Sequence, residues 1–460
     1  MTNAQIDKVL NGDRRYGDAV GKLILRDGDF IKIINRLKSE AAGYPGLDPE
    51  GLRLVRHKIF NAPNAPVSYP FLWDITRSDY VQWNGLASNA LAGPLGRNAG
   101  EVTGVFAILD WQEDKRLFTQ LFGFSLSALL SGQFTLPDLF KSQKNKKKQI
   151  YFKSSVDLFN LQRLESHLGG LQPPPWPFCK IGKDDYYLPK QPNLKRVDER
   201  ECRTGTVKID KESRDRGKLL FAMDCQNCHA VIKRDAWDRL MVSTIRKLDK
   251  TGTDRAMAKN NVKYTGKSGN MKDTYQTVGV GHLVVKEDAP VVQILTAATA
   301  GVVGTPDADK WLPRRIVEYI YALAMTIIDN PIKGTIKRGK YEPDTTSEPY
   351  KSLLTYRARS LNGIWATAPY LHNGSVPTLY DLLSPVECKG ENKSGHLRPK
   401  TFYIGTREFD PEKVGFKNKE GVGFKFDTSL PGNANTGHDY GACNRTSKER
   451  EDLIEYLKSL

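Results

Sequence analysis

The stretch CQNCHA, residues 225–230, constrains this 460-residue chain more than any other feature in it. Two of the six cysteines and one of the seven histidines fall within five positions. At these frequencies a chance C-x-x-C-H has odds on the order of one in a thousand, and the pattern is the attachment signature of a c-type haem. The spacing follows from the chemistry: two thiols add to the two haem vinyl groups, and the adjacent His229 is held under the iron as an axial ligand. Three other uses compete with this one. A zinc site needs a second ligand pair at short spacing, and none of Cys179, Cys202, Cys388 or Cys443 forms one. A thioredoxin-type C-x-x-C follows a strand, whereas RGKLLFAMD before Cys225 reads as a helix with Leu219, Leu220 and Met223 on one side. A structural disulfide would leave His229 unused. Cys225, Cys228 and His229 are therefore the first candidate cofactor residues, for a covalently bound haem c.

Covalent haem attachment in bacteria takes place outside the cytoplasm, where disulfides also persist. A periplasmic or secreted protein is expected, and Cys179 with Cys202 and Cys388 with Cys443 are candidate bridges among the three pairings that four cysteines allow. The opening, MTNAQIDKVLNGDRRYGDAVGK, has neither an apolar h-region nor a cleavage site. Either export is arranged otherwise or Met1 is not the true start. No stretch qualifies as a membrane span; the most apolar, IVEYIYALAMTII (316–328), is too short and carries Glu318. Lys and Arg outnumber Asp and Glu by 69 to 53, in part through KSQKNKKKQ (141–149). That run reads as a solvated basic loop, with an acidic redox partner or an anionic surface as the sharper alternative. Nothing resembling a recognition helix or an Arg-rich arm accompanies it, which argues against nucleic acid.

Chain length suggests two or three domains, and 39 Gly with 25 Pro suggest long irregular connections. Residues 1–60 read as polar helices, with Phe30, Ile33, Ile34 and Leu37 at helical spacing and an Asp cap before GLRLVRHKIF. Residues 64–107 are aromatic and turn-rich; Trp73, Tyr80 and Trp83 are core by default and a wall around a cofactor or apolar substrate by the alternative reading. SVDLFNLQRLESHLGG (155–170) is an amphipathic helix carrying Leu158, Leu161, Leu164 and Leu168, stopped by Gly169 and Gly170. LQPPPWPFCK (171–180) then ends helical structure and marks a boundary. At the far end, TSKEREDLIEYLKSL has Thr446 and Glu449 spaced as a capping box, with Leu453, Ile454, Leu457 and Leu460 in one stripe. Small cytochromes close their haem crevice by crossing their first and last helices, and these two helices suit that arrangement. The expected fold is mainly α. A cytochrome c-like domain with large insertions and long irregular loops occupies 206–460, a Pro-rich linker or insertion 171–205, and an incomplete, mostly helical and loop-rich N-terminal domain 1–170.

An electron-transfer haem takes a sixth ligand, usually His or Met, whereas an open sixth site suits oxygen or peroxide. The downstream candidates are Met241, Met257, Met271, Met325, His282, His372, His396 and His438. Two lie in tight Gly- and Asn-rich loops: His372 in ATAPYLHNGSVPTLYDLL and His438 in SLPGNANTGHDYGACN. Local chemistry does not choose between them.

YRARSLNGIWATAPYLHNGSVPTLYDLL (356–383) resembles the C-terminal part of the bacterial di-haem cytochrome c peroxidase superfamily, in the branch of the rubber oxygenases and di-haem fatty-acid dioxygenases. SYPFLWDITRSDYVQWNG with RNAGEVTGVFA, GKLLFAMDCQNCHA, and PKTFYIGTREFDPEKVGF with FDTSLPGNANTGHDYG agree with that branch, so the likeness covers most of residues 60–460. The resemblance implies a second, more N-terminal C-x-x-C-H haem where oxygen or peroxide reacts. This sequence holds a single C-x-x-C-H, and with the missing signal peptide the resemblance leads us to expect that an N-terminal segment is lacking. On the same grounds Cys225, Cys228 and His229 belong to the second, electron-transfer haem, which is bis-histidine in the rubber oxygenases, with its distal ligand matching His438. Trp365 matches a tryptophan placed between the haems and suited to electron relay, and Arg359 and His372 match the haem edge or its propionates; a structural role is the alternative for all three. Two functions from different classes follow. One is a c-type haem protein transferring electrons, as the electron-transfer half of a di-haem oxidoreductase, with a redox protein or small redox donor as partner. The other is a complete peroxidase or dioxygenase acting on an apolar unsaturated substrate; a module whose haem only staples the fold is a third reading.

Overall fold

Local rules start most of the elements that frame the site. The computed structural model describes residues 64–105, 107–113, 150–176, 209–233, 236, 238–277, 282–307, 310–335, 337–390, 393 and 395–460. The helices expected in 1–60, the basic run 141–149, and Cys179 and Cys202 lie outside these residues. Helix α1 (Gly93–Val105) leads to strand β1 (Leu109–Glu113), which pairs antiparallel with β2 (Ile150–Ser154). Helix α2 (Leu158–Leu168) begins where the Asp157 side chain accepts from the Asn160 amide and ends at Gly169. Of its leucines, Leu158 is buried and Leu161 packs on the core, while Leu164 stays exposed.

The haem-motif helix α3 (Lys211–Asp224) is capped by Asp210 and runs directly into Cys225. Strand β3 (Thr244–Lys247) and the single-turn helix α4 (Leu248–Thr251) follow. Next come α5 (Val291–Val303), α6 (Leu312–Asp329), β4 (Arg338–Lys340), β5 (Thr355–Ala358) and α7 (Leu379–Leu382). The strands β6 (Thr401–Ile404) and β7 (Phe424–Asp427) form an antiparallel pair, and the closing helix is α8 (Ser447–Ser459). A three-stranded sheet has the order β4-β3-β5; β4 lies parallel and β5 antiparallel to the central strand, with Thr244 opposite Ala358. Among the described residues helix accounts for 37% and strand for 15%, a mixed content. No described helix is long and apolar enough to cross a membrane.

The two larger apolar cores among the described residues organise these parts. The first joins α1, β2 and α2 to α5 through Leu95, Ala99, Phe152, Leu158, Ala298 and Val302, so segments on both sides of the Pro-rich stretch share it. The second lies where α3 crosses α8 and gathers Phe221, Leu379, Leu453 and Leu457 with Trp176 and Ile364. The capping box that starts α8 is present, with Thr446 and Glu449 each bonding the other's backbone amide. Leu453, Ile454 and Leu457 of its stripe are buried. On α3 the buried face is Ser213, Gly217 and Phe221, whereas Leu219 and Met223 point away and are exposed. The crossing point explains this difference from the expected stripe. Gly217 lies so close to α8 that a Cβ there would sit 1.9 Å from the Asp452 carbonyl oxygen, and Leu219 and Met223 lie about half a helical turn away. Arg216 ties the same crossing from outside by two hydrogen bonds to the Asp452 carboxylate, at 2.8 and 3.0 Å. Cys388 and Cys443 form a disulfide that links the segment after α7 to the loop before α8.

Candidate functional site

The α3–α8 crossing opens into a cavity whose apolar wall includes Phe221, Ile364, Leu379, Leu383, Leu453 and Leu457. At the end of α3 the chain delivers Cys225, Cys228 and His229 to this cavity, both cysteines as free thiols. The His229 and Cys228 amides bond the Cys225 carbonyl at 2.9 and 3.0 Å, so the motif curls in one tight turn. Burial pushes the Cys225 thiol up to about 11. Arg246, on β3, donates from Nε and Nη2 to the Cys228 sulfur at 3.2 and 3.0 Å.

His438 faces His229 from the opposite wall. The ring centres are 6.0 Å apart and the planes are inclined by 58°. Two imidazoles sharing one metal, each at a bond of about 2 Å and with its ring centre about 1 Å behind the nitrogen, place their centres about 6 Å apart. His229 Nδ1 lies 2.7 Å from the Arg359 carbonyl oxygen. A carbonyl only accepts, so Nδ1 carries the proton and Nε2 keeps its lone pair for a metal. Burial lowers the pKa of His229, and burial together with the nearby His229 lowers that of His438 to about 3. Both rings are thus neutral, as ligation requires.

The polar rim is one-sided. Arg246, Arg357 and Arg359 line the cavity, and no Asp or Glu is among the described residues that do so. Arg359 lies over the Phe71 ring at 3.3 Å and faces the Trp83 ring at 5.5 Å. Burial, followed by the charge of Arg357, pulls its pKa well below the usual arginine range. A cavity with two thiols, two opposed neutral imidazoles, an apolar wall and three arginines without a lining carboxylate fits a haem: thioether anchors, axial ligands, a porphyrin face and two propionates. Trp83 lines the cavity and also packs against the small core of Leu248, Ala258 and Tyr356, its indole N–H donating to the Ser68 carbonyl. Trp73 instead stacks on Phe71 and donates to the Asn362 carbonyl.

Residues 355–390 match the family model described as RoxA-like, cytochrome c-like. The RoxA-like stretch runs from β5 through Arg359 and His372 to α7 and beyond, and so supplies one wall of the cavity. The cytochrome c-like match supports haem as the cofactor and iron as the metal. The chain is 29% identical over 487 residues to uncharacterized protein y4iJ of Sinorhizobium fredii (strain NBRC 101917 / NGR234), covering 99% of this chain and 64% of that protein. It is 38% identical over 136 residues to uncharacterized protein y4iM of the same organism, covering 25% of this chain and 29% of that protein. The chain thus spans less than two thirds of the length of either relative.

Of the residues singled out in the sequence, Cys225, Cys228, His229, Arg359, His372 and His438 come together around the cavity. Trp365 does not line it; its indole N–H donates to the Pro174 carbonyl at 3.0 Å and its ring packs edge-on against Trp176 and Phe409. Of the other candidate ligands, Met271 sits in the first core and His396 bonds Asp381. His372 is stacked on Tyr356, with ring centres 4.2 Å apart, and its Nε2 lies 3.0 Å from the Tyr356 hydroxyl. That hydroxyl donates to the Asp254 carbonyl at 2.7 Å, so the His372 Nε2 proton is donated to it.

Burial lowers the His372 pKa from 6.5 to about 3. Below pH 6.5 the unfolded chain takes up a proton that the folded chain refuses, so this residue removes stability as pH falls, about 1.4 kcal/mol for each pH unit down to about 3. Urea midpoints measured from pH 7 to pH 4 should fall more steeply in the wild type than in His372→Asn; equal slopes would mean that His372 is protonated in the fold.

Proposed function

We propose that this chain is a c-type cytochrome that passes single electrons through one covalently held haem, as the electron-transfer half of a peroxidase- or oxygenase-like oxidoreductase. The observation that carries this reading is the opposed pair of neutral imidazoles, His229 and His438, 6.0 Å apart beside the two thiols of the C-x-x-C-H motif. When bound, a haem c supplies one-electron redox chemistry at its iron, at a potential tuned by axial ligands, hydrogen bonding and burial.

The chain's own residues divide the work. Cys225 and Cys228 would anchor the ring edge, with Arg246 holding the Cys228 sulfur in place. His229 would bind through Nε2, its ring orientation fixed by the Arg359 carbonyl. His438 would close the opposite face and leave no position for oxygen or peroxide. Arg246, Arg357 and Arg359 would neutralise the propionates, and the leucines of α7 and α8 would exclude water, which favours a small reorganisation between redox states. The partnership with a second, catalytic haem rests on the resemblance to di-haem enzymes. A periplasmic or secreted location is supported by the attachment motif and by the Cys388–Cys443 disulfide, both of which suit an oxidising compartment. The partner is a redox protein or a small redox donor.

A potentiometric titration of the haem-loaded chain tests this. It should follow a single wave with a slope of about 59 mV per decade, as one electron requires. The reduced spectrum should be unchanged by carbon monoxide. Rapid carbon monoxide binding by the reduced protein would overturn electron transfer through a closed site in favour of chemistry at this haem.

A further inference from the structure

Resting on the reading of His438 as the sixth ligand, we infer that Arg398 is the positioning residue that aims it. Arg398 is 3% exposed and directs its hydrogen bonds to backbone carbonyls on two sides. Toward the cavity wall, Nε donates to Ser384 at 2.8 Å and Nη2 to Leu382 at 2.9 Å, carbonyls at the end of α7 that the helix itself leaves without partners. Toward the ligand loop, Nη1 donates to Asn435 at 2.6 Å and Gly437 at 2.7 Å, and Nη2 to His438 itself at 3.2 Å. One guanidinium therefore fastens the backbone of the ligand to the end of the helix whose Leu379 and Leu382 line the same cavity.

The loop needs such a clamp. His438 has φ +52°, a left-handed conformation that costs a non-glycine residue energy and persists only where its surroundings enforce it. The other face of the loop is held by α4: the His438 amide donates to the Thr251 carbonyl at 3.0 Å, and the Thr436 hydroxyl to the Gly252 carbonyl at 3.0 Å. Gly437, at φ +72°, lets the two backbones touch, since a Cβ there would sit 2.2 Å from the Gly252 carbonyl carbon. Arg398 closes the remaining side. Its planar fork is what reaches several carbonyls on two segments together, which a lysine cannot do. Loss of a group that orients a metal ligand weakens ligation by roughly 10- to 100-fold.

The test is the visible spectrum of the haem-loaded full chain carrying Arg398→Met or Arg398→Lys, read beside His438→Ala and Arg239→Met. Arg239 forms a buried ion pair with Asp74 at 2.7 Å, away from the loop, so its loss destabilises the fold without touching the ligand. Arg398→Met should be high-spin in most molecules and Arg398→Lys a mixture, both returning to low-spin on addition of imidazole, while Arg239→Met stays low-spin despite its lower urea midpoint. If Arg398→Met does not accumulate, the imidazole titration of Arg398→Lys decides: a wholly low-spin Lys variant that is indifferent to imidazole overturns the proposal. If His438→Ala is high-spin and Arg398→Met remains low-spin, the Arg398 proposal alone falls. If His438→Ala is itself low-spin, the ligand reading falls and takes this proposal with it.

Discussion

Replacing His438 with alanine should convert the haem of the loaded chain from low-spin and six-coordinate to high-spin. The wild-type spectrum should be insensitive to carbon monoxide, whereas the reduced variant should bind it, and added imidazole should restore the low-spin bands. The other histidine on the cavity wall, His372, has its Nε2 proton bonded to Tyr356 and its ring stacked on that tyrosine, so replacing His438 from there requires breaking both contacts. No methionine lines the cavity among the described residues. A variant with the wild-type spectrum would show that His438 is not the ligand.

Substituting Gly217 by alanine should destabilise the chain by about 2–3 kcal/mol, the cost of forcing extra volume into a packed contact. The sign is what makes this informative. In the middle of an exposed helix the same change should stabilise by up to about 1 kcal/mol, because alanine is the better helix former. Here a Cβ would fall 1.9 Å from the Asp452 carbonyl oxygen and 3.0 Å from the Leu453 nitrogen, so the collision is with the backbone of α8 and no rotamer relieves it. Moving α8 also moves Leu453 and Leu457, two residues of the cavity wall, so the haem spectrum should broaden as stability falls. A urea midpoint equal to or above the wild type would mean that the helices do not cross at Gly217.

What could be read from the sequence was local. The C-x-x-C-H motif, the Thr446–Glu449 capping box and the leucine-bearing helix before Gly169 are each specified by residues within a few positions of one another, and the structure forms the capping box and the helix. The buried face of α3 was only partly legible: of the apolar residues read on one side, Leu220 packs against the second core while Leu219 and Met223 are exposed, because the contact is set by the absence of a side chain at Gly217. Choosing His438 over His372 needed the family resemblance, because both loops have the same local chemistry. Arg398 left no signal. Its partners are carbonyls from Leu382, Ser384, Asn435 and Gly437, and every residue has a carbonyl. Arg246 and Tyr356 were missed likewise, since their roles come from strand pairing that sets β3 and β5 side by side along the cavity. Trp365, singled out by resemblance, sits behind the wall in the second core with its N–H committed to Pro174.

The proposed function requires one iron held between His229 and His438. A crystal structure of the haem-loaded chain measures this directly. The expected result is thioether bonds from Cys225 and Cys228, and an iron within about 2 Å of His229 Nε2 and of the His438 imidazole. An iron with an open sixth position, or one bound there by any residue other than His438, would contradict it.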